Sequence, residues 1–187
     1  MVESREVFIN DDLKPPFDTI ADVEDYAEKA FSSVHFLLLE ALANGHEVKG
    51  HARHAAHQLG KVEGLLTLLR GVPHNATKLR KVYLPLSLLA EHKVSTESIL
   101  RHSFEAENMR TLVEHIAASA DEHLTNCRFR SKYLCKDEKR VLLPAVIADR
   151  YMTRLNRAHC DIFNSQLQSR DAWLPAILYW NKLRATY

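Results

Sequence analysis

Apolar residues recur with the three- and four-residue spacing of an α-helix along most of this chain, beginning near residue 20. Asp18 or Thr19 stands where a helix cap is expected, and Asp22 is placed to complete a capping box with Thr19. The pair Asn44-Gly45 is a typical C-terminal stop. The pattern predicts a first long helix between these signals, with the following residues inward: Ile20, Val23, Ala27, Ala30, Phe31, Val34, Leu38, Ala41 and Leu42.

A second helix is predicted from about Glu47 to Arg70. Gly60 and Gly64 lie one turn apart on it, and a glycine inside a helix costs about 1 kcal/mol relative to alanine. Two glycines at this spacing indicate close approach of a neighbouring backbone. Pro73 predicts that the helix ends before it and that a basic loop follows. The inward stripe of this helix is Leu59, Val62, Leu66 and Leu69.

The rest of the chain reads as shorter helices around one more long helix. Two short helices come first, one at Leu86–Ala90 and one that is capped by Ser95 or Thr96 and ends at Arg101. The long helix that follows has these residues inward: Met109, Leu112, Val113, Ile116, Ala117, Ala120, Leu124 and Cys127. After a charged connection over Lys132–Arg140, a helix starts at Pro144 with Ile147, Ala148, Tyr151, Leu155 and Ala158 inward, and a final helix ends at Arg184. No strand-like alternation is visible, so the chain is predicted to be all-α.

Composition limits the possible functions. The 187 residues fit one domain, and 46% hydrophobic residues suffice for a core. The 25 basic and 24 acidic residues nearly balance, which argues against a nucleic-acid partner. No apolar run approaches the roughly 18 residues of a membrane span. The three cysteines form no C-x-x-C motif, so a disulfide framework is not expected.

The stretch LGKVEGLLTLLRGVPHNATKLRKVYLP, residues 59–85, resembles the second conserved block of squalene and phytoene synthases. That block reads LGxAxQLTNILRDVxED, followed by a basic loop and GRxYLP. The resemblance implies a partial isoprenoid-synthase-like helical bundle. It also implies a division into a lead-in segment, residues 1–18, and the C-terminal portion of the family's domain, residues 19–187.

The chain differs from the family at the positions of the metal-binding carboxylates. Gly71, His74 and Asn75 stand where the synthases have carboxylates. Those carboxylates hold the magnesium that neutralises a leaving diphosphate, because magnesium prefers hard oxygen ligands. The resemblance therefore implies a protein without catalytic, cofactor-binding or metal-binding residues. A residual prenyl transferase or a prenyl-lipid-binding protein is the alternative.

A narrower resemblance is carried by residues 26–42, 51–85 and 161–168 and by the terminal Tyr187. These segments are similar to a mitochondrial branch of the same family that has lost the aspartate motifs and takes part in assembling respiratory complex I. The resemblance implies complex I subunits or assembly intermediates as partners, no nucleic acid, and a place on the matrix side of the inner membrane with possible peripheral contact. It also implies that an upstream half is missing, and we expect the apolar faces around Leu38, Leu66 and Leu69 to be bare.

One group of residues is a candidate anion site inherited from the diphosphate pocket: Arg70, Lys78, Arg80, Lys81 and Tyr83. The favoured interpretation of these residues is a solvated loop in which Arg70 pairs with a helix end or a carboxylate.

Three other features have a functional and a structural interpretation, and the structural one is favoured each time. The histidines His46, His51, His54 and His57 suggest metal binding, but such clusters are common in a chain with eleven histidines. The acidic run Asp22–Asp25 resembles an aspartate motif, but acidic residues ordinarily cap a helix start. The aromatic tail with Trp173, Ile177, Leu178, Trp180 and Lys182 suits a membrane surface, but we expect both tryptophans to pack onto the bundle.

Overall fold

The computed structural model of this protein describes residues 17–43 and 47–187. Within these two ranges every regular element is a helix and no strand is present, which confirms the all-α prediction. Most of the predicted lead-in lies outside the described residues. Phe17, however, is buried, and the carbonyl groups of Phe17 and Asp18 accept hydrogen bonds from the backbone of Leu86 and Ser87. The described part of the lead-in therefore belongs to the packed fold.

Ten α-helices are present in the described ranges. They are α1 (Ile20–Ala27), α2 (Ser33–Ala43), α3 (Gly50–His74), α4 (Leu86–Glu91), α5 (Thr96–Leu100), α6 (Ala106–Phe129), α7 (Lys136–Val141), α8 (Pro144–Arg157), α9 (Ser165–Gln168) and α10 (Leu174–Arg184). The capping predictions for α1 and α5 are confirmed: Thr19 and Asp22 form a capping box, and so do Ser95 and Ser98. The inward stripe predicted for α6 is buried throughout.

A π-helical turn, Glu28–Ser32, joins α1 to α2 and shifts the phase of the first long helix by one residue. Four residues that were predicted to face inward are exposed: Val34, Leu38, Ala41 and Leu42. His35 and Leu39 are buried instead. The prediction was wrong because each residue after the π turn points where the preceding residue of an uninterrupted α-helix would point. The exposed face of α2 consists of Val34, Leu37, Leu38 and Leu42. The predicted stop at Asn44-Gly45 lies outside the described residues.

Helix α3 is the central element. It packs mainly against α6, and it also contacts α1 and the first π turn. The largest fully buried side chains of these two long helices are Leu59, Leu65, Leu69, Leu112 and Ile116.

The expectation of a bare apolar face on α3 was wrong, because Leu66 and Leu69 are buried in the chain's own core. The close approach predicted at Gly60 and Gly64 is confirmed. A Cβ atom at Gly60 would overlap Ser32, and one at Gly64 would overlap the side chain of Ala27. These contacts seat α3 directly against the first helix.

Helix α3 continues through Pro73 to His74, so the helix end predicted before the proline was wrong. A second π-helical turn, Asn75–Leu79, follows, and the chain leaves it at Arg80 with a left-handed φ of 55°. The Thr77 hydroxyl donates a hydrogen bond of 2.8 Å to the Pro73 carbonyl. The predicted basic loop is therefore largely helical.

Three smaller predictions also need correction. The charged connection over Lys132–Arg140 contains a 3-10 turn, Ser131–Tyr133, and most of helix α7. The short helix α9 was not predicted. In α8, Ala148 and Leu155 face inward as expected, but Ile147 is exposed at the mouth of a pocket.

The last helix is tied to the bundle near both of its ends. Before α10, Asp171 accepts a hydrogen bond of 2.6 Å from Arg150 Nε on α8. After it, the buried Tyr187 hydroxyl donates to the Cys127 carbonyl on α6 at 3.3 Å. Burial raises the pKa of the Cys127 thiol to about 12, so this cysteine is an unreactive core residue. None of the helices in the described part of the chain combines the length and the apolar character that crossing a bilayer requires.

Candidate functional site

Four arginines from three parts of the chain line one pocket beside the final helix. Arg70 comes from α3, Arg150 and Arg154 come from α8, and Arg170 comes from the segment before α10. The cavity has a volume of about 390 Å³. Asp171 is the acidic residue of its lining. The pocket therefore carries a net positive charge.

Hydrogen bonds hold two of these arginines and leave the other two available. Arg150 pairs with Asp171 and, by this hydrogen bond, holds the pKa of that carboxyl below its usual range. Arg154 donates to the Ser169 carbonyl at 3.0 Å. Within ranges 17–43 and 47–187, neither Arg70 nor Arg170 has a hydrogen-bond or ion-pair partner. A guanidinium group without a protein partner is suited to a phosphate or carboxylate ligand.

The structure divides the predicted anion site. Arg70 lines the arginine pocket and the apolar pocket beside it, whereas Lys78, Arg80, Lys81 and Tyr83 line neither. Lys78 and Arg80 are exposed in and after the second π turn, and Lys81 and Tyr83 are partly buried. An anion site made of these five residues stays a prediction. The other arginines of the pocket come from distant parts of the sequence, which is why no local motif revealed them.

An apolar pocket of about 260 Å³ lies next to the arginine pocket. Phe31, Leu66, Ile147 and Tyr151 supply much of its lining. Arg70, Ile147 and Tyr151 line both cavities. Burial raises the pKa of Tyr151 to about 12, so its hydroxyl is neutral at ordinary pH. A charged cavity and an apolar cavity thus share one wall.

Gly71, His74 and Asn75, the positions at which the sequence resemblance places the synthase carboxylates, lie on one turn at the end of α3. A Cβ atom at Gly71 would lie 3.1 Å from the amide nitrogen of Asn75, so the two positions face each other across this turn. His74 is exposed on the same turn. Glycine, histidine and asparagine provide no carboxylate, and Arg70 adds a positive charge at the start of the turn.

The acidic start of α1 does more than cap the helix. Asp22 is the predicted cap, but Glu24 lies between α3 and α6, where its carboxylate is 3.0 Å from Lys61 Nζ and 3.2 Å from His123 Nε2. Burial favours the neutral form of Glu24, but hydrogen bonds from His123 and Lys61 outweigh it and lower the pKa of the carboxyl. This cluster holds three helices together.

The described histidines of α3 make packing and electrostatic contacts on the helix surface. The ring of His51 stacks on Tyr133 with 4.5 Å between centroids, and His57 Nε2 lies 3.0 Å from a glutamate of the first π turn. Burial lowers the pKa of His54, which keeps its imidazole neutral. His46 lies outside the described residues. The rings of His54 and His57 stack with 6.4 Å between centroids, while His51 and His57 each have a further partner, Tyr133 and a glutamate.

A different group of possible metal ligands was missed by the sequence analysis. Glu91, His92 and His115 place ligand atoms within 4.8 Å of one another, with 3.3 Å between His92 Nε2 and His115 Nδ1. The Thr111 hydroxyl donates to the Asn108 carbonyl, so it accepts from His92 Nδ1–H and leaves Nε2 as an acceptor. The group unites the end of α4 with the middle of α6, and no local spacing predicts such a meeting.

The tryptophans of the C-terminal tail point away from the bundle. Trp173 is 73% exposed and Trp180 is 55% exposed, so the prediction that both anchor the core was wrong. Ile177 and Leu178 take the inward face of α10 and pack against the core instead. The final helix therefore presents large aromatic residues on its outer side.

Comparison with known protein families identifies the family to which this chain belongs. The family model described as squalene/phytoene synthase matches residues 1–174 of the 187. The chain belongs to this family. Its fold is the isoprenoid-synthase-like helical fold that the resemblance predicted. No solved structure matched significantly in the comparison.

Curated relatives share a single name. A human protein named "NADH dehydrogenase (ubiquinone) complex I, assembly factor 6" is 34% identical over 188 residues, which covers 100% of this chain and 54% of the relative. The Drosophila melanogaster homolog of that factor is 35% identical over 173 residues, covering 91% of this chain and 51% of the relative. The Dictyostelium discoideum homolog is 31% identical over 164 residues, covering 86% and 44%. This chain spans about half the length of the curated relatives it matches.

Proposed function

We propose that this protein takes part in assembling respiratory complex I in mitochondria and that it does so without catalysing a reaction. The names of its relatives in animals and in Dictyostelium discoideum support the process. The observation that carries the proposal is the turn formed by Gly71, His74 and Asn75. The family's helix continues through this turn, but its side chains provide no carboxylate for magnesium.

The charge of this region supports the non-enzymatic role. Ionising an allylic diphosphate requires metal ions held by carboxylate oxygens, so that the negative charge of the leaving group is neutralised. Next to this turn the chain places Arg70 in the wall of an arginine-lined pocket. Arginine side chains attract an anion but repel a divalent cation. In this proposal the protein uses the helical fold as a scaffold, and residues 19–187 are the C-terminal portion of the family's domain.

The partners in this proposal are complex I subunits or assembly intermediates, and the exposed face of α2 is the contact surface. Val34, Leu37, Leu38 and Leu42 form an aliphatic strip along one side of this helix. Such a strip suits an apolar segment of a partner, because burying each leucine contributes about 1.5–3 kcal/mol. We place the protein on the matrix side of the inner membrane, in peripheral contact with it and with no nucleic-acid partner.

Co-purification from mitochondria tests the proposal. Tagged wild-type protein should recover complex I subunits, and a Leu37→Glu/Leu38→Glu variant should recover at least several-fold less, because two carboxylates interrupt the strip. Leu79→Glu is the matched control, since Leu79 is also an exposed leucine and lies on the second π turn. Failure of the wild type to recover any complex I subunit would refute the proposal. Equal losses in both variants would refute the α2 surface.

The second candidate function is prenyl-lipid binding or prenyl transfer. It is favoured by one observation, the apolar pocket that shares Arg70, Ile147 and Tyr151 with the arginine pocket. The predicted anion site around Arg70 would then hold the diphosphate. Direct assay of product formation and of ligand binding separates this candidate from the first.

A further inference from the structure

Helix α10 is apolar on both of its sides although it lies on the surface. Leu174, Ile177 and Leu178 are partly buried on its inner side, and the latter two pack against the core. Its outer side carries Tyr179, Trp180 and Leu183, which are 64%, 55% and 63% exposed. A helix with large apolar residues on two opposite faces is normally covered on both of them. The outer face of α10 is therefore a surface on which a partner is expected.

The charges around this face have one sign. Lys182 and Arg184 lie in the last turn, and the Arg184 guanidinium stacks over the Trp180 ring at 4.6 Å. Residues 172–187 include no aspartate or glutamate side chain. Asp171, the acidic residue directly before this segment in the sequence, is paired with Arg150. Aromatic side chains flanked by cations are typical of helices that lie in the interface of an anionic membrane.

The arginine pocket opens at the other end of the same helix. Leu174 and Pro175, the first residues of α10, line this pocket together with Arg70, Arg154 and Arg170. Trp173, which is 73% exposed, directly precedes them. The arginine-lined cavity thus begins where α10 begins, directly after the exposed Trp173. This combination matches the two layers of a phospholipid surface, in which phosphate groups lie just outside the acyl chains.

We propose that the outer face of α10 and the arginine pocket together dock the protein on an anionic phospholipid bilayer, with a lipid phosphate in the pocket. Trp173, Trp180 and Leu183 then enter the boundary between head groups and acyl chains. This inference deepens the peripheral membrane contact of the proposed function and rests on that part of it. Its occupant differs from that of α2, because the large apolar side chains exposed on α2 are aliphatic, without tryptophan or tyrosine.

The tryptophan fluorescence of the protein reports on this contact. Its only two tryptophans, Trp173 and Trp180, both belong to the proposed surface. Purified full chain should float with vesicles of phosphatidylcholine containing phosphatidylglycerol, and its tryptophan emission should shift to the blue as both rings leave water. Vesicles of phosphatidylcholine alone should bind much more weakly, and salt should release the protein from the anionic vesicles. Trp173→Phe and Trp180→Phe assign the emission shift to each ring.

Paired variants separate the apolar and the charged contributions. Trp173→Ala/Trp180→Ala should weaken vesicle binding about tenfold or more. Arg70→Gln/Arg170→Gln should weaken it about thirtyfold, because each cation near an anionic surface contributes about a fivefold gain. These two arginines are chosen because the fold does not use them for hydrogen bonds. The controls are Leu79→Ser and Lys136→Gln, which remove an exposed leucine and an exposed lysine outside every proposed site; both should bind like wild type.

Several results would overturn the inference. No flotation with anionic vesicles would do so, and so would control variants that lose as much binding as the paired variants. Loss of complex I subunits from the tryptophan variant without any vesicle binding by the wild type would mean that the face binds a protein instead. The vesicle assay uses no mitochondrial component, so its failure leaves the co-purification test of the proposed function intact.

Discussion

Gly60 on α3 lies against Ser32 at the end of the first π turn with no space for a side chain between them. A Cβ atom at this position would overlap both the backbone and the hydroxyl of Ser32. The Ser32 hydroxyl also donates to the His57 carbonyl at 3.1 Å, which fixes the serine in this position. The contact therefore sets the distance between the first long helix and the central helix.

The first prediction concerns this contact. Gly60→Ala should lower the free energy of unfolding by about 1–3 kcal/mol, because the added methyl group pushes two packed backbones apart. Gly50→Ala is the control, since no atom lies within 4 Å of a Cβ built there. Thermal melting of both variants checks this, with about 2–4 °C expected per kcal/mol for a chain of this size. A Gly60→Ala protein as stable as Gly50→Ala would contradict the packing described.

A second prediction concerns acid stability. The pKa of Glu24 is lowered in the folded protein, so its contribution is present above the unfolded pKa, near 4.5, and is lost as the pH falls through the folded value. Glu24→Gln should be about 1–3 kcal/mol less stable at neutral pH, because Lys61 and His123 lose a charged partner. It should also lose less stability than wild type between about pH 6 and pH 3.

Denaturant unfolding across this pH range measures the effect of Glu24. Glu122→Gln is the control, because Glu122 is exposed on α6 and no hydrogen bond or ion pair engages it among the described residues. If the free energy of unfolding changed with pH in the same way for wild type and Glu24→Gln, the Glu24 carboxylate would not contribute to the loss of stability in acid.

A third prediction concerns the histidines. His54→Gln should leave metal content and thermal stability nearly unchanged, because His51, His54 and His57 do not form a group of converging ligand atoms in the described part of the chain. Any zinc that the protein takes up should instead depend on His92 and His115, whose facing nitrogens are 3.3 Å apart. Elemental analysis and melting with added zinc check both statements. Stoichiometric zinc that disappears in His54→Gln would overturn the assignment.

The fourth prediction is chemical. Farnesyl or geranylgeranyl diphosphate with magnesium should yield no product and no pyrophosphate above a heat-killed control. Gly71→Asp/Asn75→Asp should not create activity, because two carboxylates on one turn beside Arg70 do not complete a metal site. Magnesium-dependent release of pyrophosphate by the wild type would refute the non-enzymatic role and favour the second candidate function.

The sequence predicted the helices well because their signals are local. The caps at Thr19 and Ser95 and the inward stripe of α6 depend on residues within a few positions of one another, and all are confirmed. The face of α2 was mispredicted because a single π turn changes the phase of every later residue. Whether a turn is α or π depends on packing against α3, which the local pattern does not contain.

The candidate site was much harder to predict than the fold. Arg70 was recognised because it lies in a family motif, but Arg150, Arg154 and Arg170 have no motif of their own. They meet Arg70 because α8 packs against α3 and the following segment returns across both. The exposure of Trp180 also depends on which side of α10 meets the bundle, and large apolar residues lie on both sides of that helix.

The two ties of α10 have a mechanical consequence. Asp171 is held by α8 before the helix, and Tyr187 is held by α6 after it. Because α10 is anchored at both ends, it cannot pivot relative to the bundle and moves with it as one rigid unit. A surface bound to its outer face would therefore set the orientation of the whole bundle, and the aliphatic strip of α2 would point in one defined direction from that surface.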